Sequence, residues 1–415
     1  MRYVWLSALL ACGLLVAGPQ DSETNVNSRY TVENVTVSGE GWSSSPAVDR
    51  DHRISSGLRK EMAALVGEKL NPAKLDDLAK RLRRELRAHA VEQHVLRGRS
   101  PEYVRVIFQV EVPPTRFDAS VPKFLYQGEQ GWSGAIEGTA TLHENGFTAG
   151  LVSDGDELVE RYTGVVARYE SEPLMSERAR LRFEFGSYHE LWNPATVTAA
   201  AGSPALYRTR QEFQPVLSVE VSRQLEVSFG ASFESLGEPV AGAEPLAANA
   251  LVAGARYHQE IEGASDQAVE ADYDLRAGTQ ALASDYAYSR HRWGFRYRLT
   301  HGKQELVDDG WGGVILGQAP LFERFVLGNS TSLRGWNKFD LDPLGGNRVV
   351  HNTVEYHYGI FQIFCDSGAI WDGGQPVVAR SSLGAGLRQG IFSLALAFPL
   401  RDGRMDPVFM VGMNY

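Results

Sequence analysis

Residues 292–299 read RWGFRYRL. Trp293, Phe295, Tyr297 and Leu299 alternate with Arg292, Gly294, Arg296 and Arg298. A strict period of two predicts a β-strand with one apolar and one polar face. The pattern recurs upstream. Ala179, Leu181, Phe183 and Phe185 alternate with Arg178, Arg180, Arg182 and Glu184. Leu225, Val227, Phe229, Ala231 and Phe233 alternate with Glu226, Ser228, Gly230, Ser232 and Glu234. In a soluble sandwich the apolar faces would turn inward and the arginines would be ordinary surface. In a membrane barrel the apolar faces meet lipid and the charged faces line a wet lumen. The aromatic-rich strands, together with an export leader, favour the barrel.

From about residue 132 onward, such segments are divided by Gly, Asp, Asn and Pro. A membrane strand takes roughly 10 residues and its turn or loop about as many again, so the last ~300 residues hold 14 to 16 strands. The first is expected near residues 134–143 and the last near 407–415. In the last, Phe409, Val411, Met413 and Tyr415 alternate with Met410, Gly412 and Asn414. Pairing the last strand with the first removes open edges, which lipid does not tolerate. The 415 residues, 43% hydrophobic and 22% charged, exclude a disordered or collagen-like chain. The expected class is mainly β: a small N-terminal α+β domain, then an antiparallel transmembrane β-barrel of about 16 strands over residues 115–415.

Residues 1–20 read as a secretory signal peptide. Arg2 is a short positive start, and YVWLSALLACGLLVAG at 3–18 is an apolar core ending in small residues. Cleavage is expected near Gly18. A lipoprotein reading of Cys12 needs a longer apolar lead-in. After cleavage Cys365 is the remaining cysteine, so the exported fold rests on packing and hydrogen bonds rather than an internal disulfide. No apolar run after residue 20 reaches the length of a membrane helix.

Residues 29–114 predict a separate small domain. YTVENVTVS at 30–38 alternates like a strand. Leu58, Met62 and Leu65 share one helical face, with Gly67 placed to end it. Asn71-Pro72 starts a second helix, as cap and first position. Leu75, Leu78, Leu82 and Leu86 form its apolar stripe. Residues 90–97 and 102–112 predict a hairpin turning at Arg97–Pro101. This β-α-α-β-β order resembles a POTRA domain, the periplasmic module of outer-membrane assembly proteins. Residues 30–114 carry a net charge of +2 and residues 115–415 a net of −12. Neither has the one-sided basic stripe of a nucleic-acid binder.

The most specific motifs lie in the last hundred residues. FERFVLGNSTSLRGWN at 322–337 resembles the sixth-loop motif of the BamA/TamA/FhaC superfamily of outer-membrane insertases and transporters, the bacterial surface antigen family. Leu333, Arg334, Gly335 and Trp336 match its core, while Asn329 replaces one of its glycines. Phe364, Asp366 and Gly368 match the family's F-x-D-x-G strand motif. The terminal aromatic strand (Phe409, Val411, Met413, Tyr415) resembles the barrel assembly signal. The resemblance covers residues 322–415 closely and the rest in pattern and order. It implies that the loop folds back into the lumen and that Arg334 meets Asp366, a pair able to be bidentate. Gly335 is expected to allow a tight backbone and Trp336 to pack the loop tip. Cys365 is expected to face lipid or a neighbouring strand as a buried small hydrophobe.

Catalytic signatures do not emerge. There is no G-x-S-x-G elbow and no H-E-x-x-H. His143 has no second histidine at metal-ligand spacing, and His351 and His357 lie six apart on one strand face. No catalytic residue, metal or cofactor is expected, and no nucleic acid. The resemblance implies a protein insertase or polypeptide translocator of the outer membrane, with the POTRA-like domain in the periplasm. Its implied partners are outer-membrane lipids, unfolded or extended polypeptide clients, and periplasmic chaperones or accessory lipoproteins. The rival expectation is a structural or small-solute pore with no polypeptide client.

Overall fold

The computed structural model describes residues 29–39, 42–44, 54–86, 88, 90–111, 115–142, 144–174, 178–201, 206–237, 244–261, 265–401 and 406–413. The leader expected at 1–20, His143, the boundary at 112–114 and the terminal Tyr415 lie outside the described residues. The chain divides into two compact units, residues 1–113 and 114–415.

The first unit contains β1 (Thr31–Gly39), β2 (Trp42–Ser44), α1 (Ser56–Leu65), α2 (Pro72–Glu85), β3 (Ala90–Arg97) and β4 (Tyr103–Glu111). Its sheet runs β2-β1-β4-β3. β1 and β4 are parallel, which requires the crossover that the two helices supply. The helices start where their caps dictate. The Ser55 hydroxyl accepts from Leu58 N at 3.2 Å, and Asn71 Oδ1 accepts from Ala73 N at 3.0 Å. Leu58, Met62, Leu75, Leu78 and Leu82 pack on Val35, Val37, Val106 and Phe108. Each fully buried side chain of this size contributes about 1.5–3 kcal/mol. The three-residue β2 is an addition to the elements expected from sequence. β3 lies at the other edge of the sheet, with most of its residues exposed.

The second unit is a closed antiparallel barrel. Its first strands are β5 (Thr115–Gln127), β6 (Gly131–Leu142), β7 (Asn145–Asp154), β8 (Arg161–Glu170) and β9 (Ala179–Leu191). After the short α3 (Pro194–Ala199) come β10 (Thr209–Glu220), β11 (Leu225–Gly237), β12 (Leu246–Ala247), β13 (Ala250–Ile261) and β14 (Asp266–Gly278). β15 (Ala287–His301) and β16 (Gln304–Gln318) lead into a long loop holding α4 (Lys338–Leu341). The wall finishes with β17 (Arg348–Tyr358), β18 (Phe361–Trp371), β19 (Arg380–Gln389), β20 (Phe392–Pro399) and β21 (Val408–Met413). β12 and β13 both pair with β11 and form one interrupted strand, so sixteen strands close the wall.

The orientation of the faces separates barrel from sandwich. Trp293 and Phe295 point outward, 49% and 48% exposed, while Arg292 turns inward to Asp272 at 2.8 Å. Arg210, Glu234 and Asp366 are all buried inside the wall. A row of outward rings runs along neighbouring strands: Phe147 to Tyr169 at 5.0 Å, Tyr169 to Phe183 at 6.0 Å, Phe183 to Phe213 at 6.1 Å. Such rings suit the border of a bilayer. No helix among the described residues is long and apolar enough to cross a membrane.

Two sequence expectations are corrected. The first barrel strand is β5, not the stretch near 134–143, which belongs to β6. The reason is a register shift between Ser120 and Lys123, beside Pro122. Outward residues are Phe117 and Val121 before it and Phe124 after it, so the alternation changes phase and fades from the sequence. Proline fits here because an edge or bulge does not need its missing N–H. Cys365 does point outward, but it is exposed on the outer wall rather than buried.

Candidate functional site

The loop between β16 and β17 folds into the barrel and buries Phe325, Leu327, Leu333 and Trp336. Its turn begins at Gly328, with φ at +89°. The Asn329 carboxamide oxygen then accepts from the backbone N–H and the hydroxyl of both Thr331 and Ser332, at 2.8–3.2 Å. An Asn organises such a turn through its side chain, where a glycine would offer backbone freedom alone. Leu333 follows at φ +50°, an uncommon conformation for a branched apolar residue. Packing holds it there: it is fully buried, and its N–H donates to His351 Nε2 at 3.0 Å.

Arg334 and Asp366 come together. Arg334 Nε donates to Asp366 Oδ2 at 2.9 Å and Nη2 to Oδ1 at 2.7 Å. The Arg334 backbone N–H also donates to Oδ2, at 2.9 Å. Nη1 reaches Glu355 Oε1 at 2.6 Å, and the guanidinium lies 3.5 Å from the centroid of the Phe364 ring. Asp366 is fully buried and accepts a fourth hydrogen bond, from the Thr353 hydroxyl, at 2.9 Å. Burial alone would discourage the Arg334 charge. The hydrogen bonds and charge of Asp366, joined by Glu355, outweigh it and hold the guanidinium ionised more firmly than usual. The pair is bidentate, so it sets the loop's orientation as well as its depth.

The neighbouring positions explain the residue types. Gly335 has φ at +91°, and a Cβ there would sit 3.1 Å from the Ala397 carbonyl and Pro399 nitrogen. The Trp336 indole N–H donates to the Ser381 carbonyl at 2.9 Å, and Arg401 lies 4.5 Å from its ring. Phe364, Asp366 and Gly368 all face inward from β18. At Gly368 a Cβ would press on the Val350 carbonyl at 2.9 Å and on Leu327 at 3.0 Å, so its absence lets the loop approach the wall. Phe409, Val411 and Met413 lie on the outer face of β21, away from this cluster; Met410 points in, packed with Phe364, Ala395, Ala397 and Val408.

Further residues join the site that the sequence did not single out. At the loop's root, Glu323 meets the Tyr288 hydroxyl at 2.9 Å and Arg276 Nε at 2.6 Å. Arg324 grips both oxygens of Asp372, at 2.6 and 2.7 Å. Across the lumen, Asp156 accepts from the Ser330 N–H at 3.0 Å and from its hydroxyl. Lys338 donates to the Gly155 carbonyl at 2.7 Å and to that of Leu158. Burial pushes the Lys338 ammonium down to about 8, against the opposing pull of Asp156, Asp154 and Glu160. The inward parity of β17 was a usable signal for Thr353 and Glu355, since His351 and His357 share that face. Nothing local marks Asp156.

The wall's closing seam lies beside this loop. Among the described residues, β5 and β21 share four register pairs, from Met410–Gln127 to Met413–Phe124. β15 and β16 share fifteen. Of β5, the stretch from Thr115 to Lys123 has no described partner on the β21 side.

Residues 269–410 match the Omp85 superfamily domain, which takes in β17, β18 and the whole inserted loop. This stretch is similar to the BamA/TamA/FhaC superfamily, in keeping with the motifs read from the sequence. The chain is 30% identical over 120 residues to the outer membrane protein assembly factor BamA of Nitratidesulfovibrio vulgaris. That match spans 22% of this chain and 15% of the relative. The fold resembles that of BamA from Haemophilus ducreyi lacking POTRA domains 1–3, at TM-score 0.57 and 16% identity, covering 93% of this chain and 84% of that one. It also resembles CdiB from Acinetobacter baumannii, at TM-score 0.53 and 16% identity, covering 93% and 74%. The matched family is one of outer-membrane barrels, which supports an outer-membrane location for this one.

Proposed function

We propose that this chain inserts proteins into the outer membrane or passes polypeptides across it. The observation that carries this reading is the seam. A barrel wall is held by its ladder hydrogen bonds, and among the described residues the β5–β21 junction has four register pairs, against six for β20–β21 and fifteen for β15–β16. Opening it presents the unpaired edge of β5 to a client strand, whose backbone groups then find partners as they enter lipid. The work comes from that pairing and from burial of the client's apolar face, with no cofactor or catalytic residue.

The first unit serves as a POTRA-like periplasmic receiver. Among the described residues β3 is an edge of its sheet, and an extended client segment adds there as another strand. Outer-membrane lipids surround the barrel, and periplasmic chaperones or accessory lipoproteins deliver clients. The leader at residues 1–20 directs export. Arg334 and Asp366 form the lock that keeps the loop seated while the wall works.

The test uses lipid vesicles containing the full chain and a urea-unfolded eight-stranded outer-membrane barrel as probe. Folding of the probe, read by its heat-resistant migration, is expected to accelerate several-fold over empty vesicles. For translocation, an extended polypeptide is expected to alter channel conductance in a planar bilayer. A steady conductance indifferent to polypeptide, with no acceleration of folding, overturns the proposal in favour of a passive pore.

A further inference from the structure

The inserted loop touches both sides of the seam, and it holds them unequally. On the C-terminal side it is joined to β17, β18 and β19. Arg334 is bidentate to Asp366 and also bonds Glu355, Leu333 N–H meets His351, and Trp336 bonds Ser381. On the N-terminal side it meets the turn between β7 and β8 and the turn after β5. Ser330 bonds Asp156, Lys338 bonds the Gly155 and Leu158 carbonyls, and Asn337 bonds Glu129 at 2.9 Å and Gln130 at 3.3 Å. We propose that this loop is a latch across the seam, and that Asp156 and Ser330 form its release point. The inference rests on the seam opening proposed above and names the contact that must part first.

Three observations set the order of release. The C-terminal contacts give one arginine two carboxylates, one of them bidentate, so charge meets opposite charge in a fixed geometry. In these N-terminal contacts at most one member of each bond is charged: Lys338 donates to carbonyls, and Ser330 and Asn337 are neutral donors to carboxylates. Second, Asp156 is not stranded when Ser330 leaves. Lys123 of β5 lies 3.5 Å from Asp156, 2.7 Å from Asp154 and 2.9 Å from Glu157. Losing a partner is costly when a buried charge is left alone, and here the charge keeps its lysine. Third, Lys123 ties that acidic turn to the seam strand itself. β5 and the β7–β8 turn therefore move as one unit, while the loop stays with β17–β19. Asp156, Ser330 and Lys338 are positioning residues in this scheme.

Hydrogen–deuterium exchange of the full chain in lipid nanodiscs tests it without any client. Asp156→Ala and Ser330→Ala are each expected to raise exchange of residues 124–127 and 408–413 by roughly tenfold to a hundredfold. Residues 361–371 should keep the wild-type rate. Asp156→Asn, which retains an acceptor for the Ser330 N–H, should restore most of the protection. A paired Asp156→Cys and Ser330→Cys variant, once oxidised, should exchange at the seam more slowly than wild type, and reductant should reverse this. Unchanged seam exchange in the single variants, or an equal rise in β17 and β18, overturns the latch. If the single variants fail to fold, the cysteine pair decides alone: no slowing of the seam on oxidation refutes the proposal. Since no client is used, failure here leaves the insertion proposal standing, and failure of the vesicle assay leaves the latch standing.

Discussion

β4 of the small domain and β15 of the barrel obey the same alternation with opposite burial. In β4, Val104, Val106, Phe108 and Val110 turn inward and are buried. In β15, Trp293 and Phe295 turn outward and the arginines turn in. Period-two patterning states that a strand has two unlike faces; it does not state which face is the inside. That is settled by what surrounds the fold. Water around the small domain drives its apolar faces together over two helices. Lipid around the barrel removes that drive and requires instead that backbone and charged groups be satisfied within the wall.

The contrast can be broken most forcefully at the lock. Arg334→Ala takes from fully buried Asp366 its counter-charge and two side-chain hydrogen bonds, leaving the backbone N–H of residue 334 and the Thr353 hydroxyl, and is expected to cost the loop about 3–5 kcal/mol. Protease cleavage within 329–337 should rise sharply while the barrel still migrates as folded. Wild-type behaviour of both Arg334→Ala and Asp366→Ala in folded barrels would remove the lock. In the small domain the equivalent injury is apolar. Phe108→Ala should destabilise that unit by about 3–5 kcal/mol in urea, whereas Phe295→Ala should leave barrel stability nearly unchanged. Equal losses would contradict the opposed burial of the two strands.

A charge sharpens the same contrast. Phe295→Arg should cost the lipid-inserted barrel about 2–4 kcal/mol if the residue sits near mid-bilayer. Refolding titrations in vesicles measure it, and a negligible cost would place that face away from lipid.

The smallest effect concerns Lys338. Its ammonium is held near 8 in the seated loop, below its value in a released, solvated one. The released loop therefore binds more protons between about pH 8 and 10.5, and seating strengthens as pH rises through that window. Asp156, Asp154, Glu160 and Arg161 are the charged groups that face it. Exchange at the seam, corrected for its intrinsic pH dependence, should fall modestly from pH 8 to 10. Lys338→Met should abolish the change, and a rise instead of a fall would reverse the assignment.

The alternating strands, the two helices with their Ser55 and Asn71 starts, and the LRGW and FCDSG motifs were legible in the sequence, because each is set by residues close together along the chain. β5 was not, since Pro122 and the register shift interrupt its period. Glu355 and Thr353 could have been found by following the inward parity of His351 and His357. Asp156, Glu323 and Lys338 could not, since their partners lie on distant strands and no local pattern marks them. What the sequence determined alone is the presence of two-faced strands, a small helical domain and an arginine-bearing loop. Which strand closes the wall, which face is inside, and how the loop is held on both sides of the seam were decided by closure. A ring of strands brings residue 127 beside residue 410, and only that long-range geometry gives a buried carboxylate the partners that make its burial affordable.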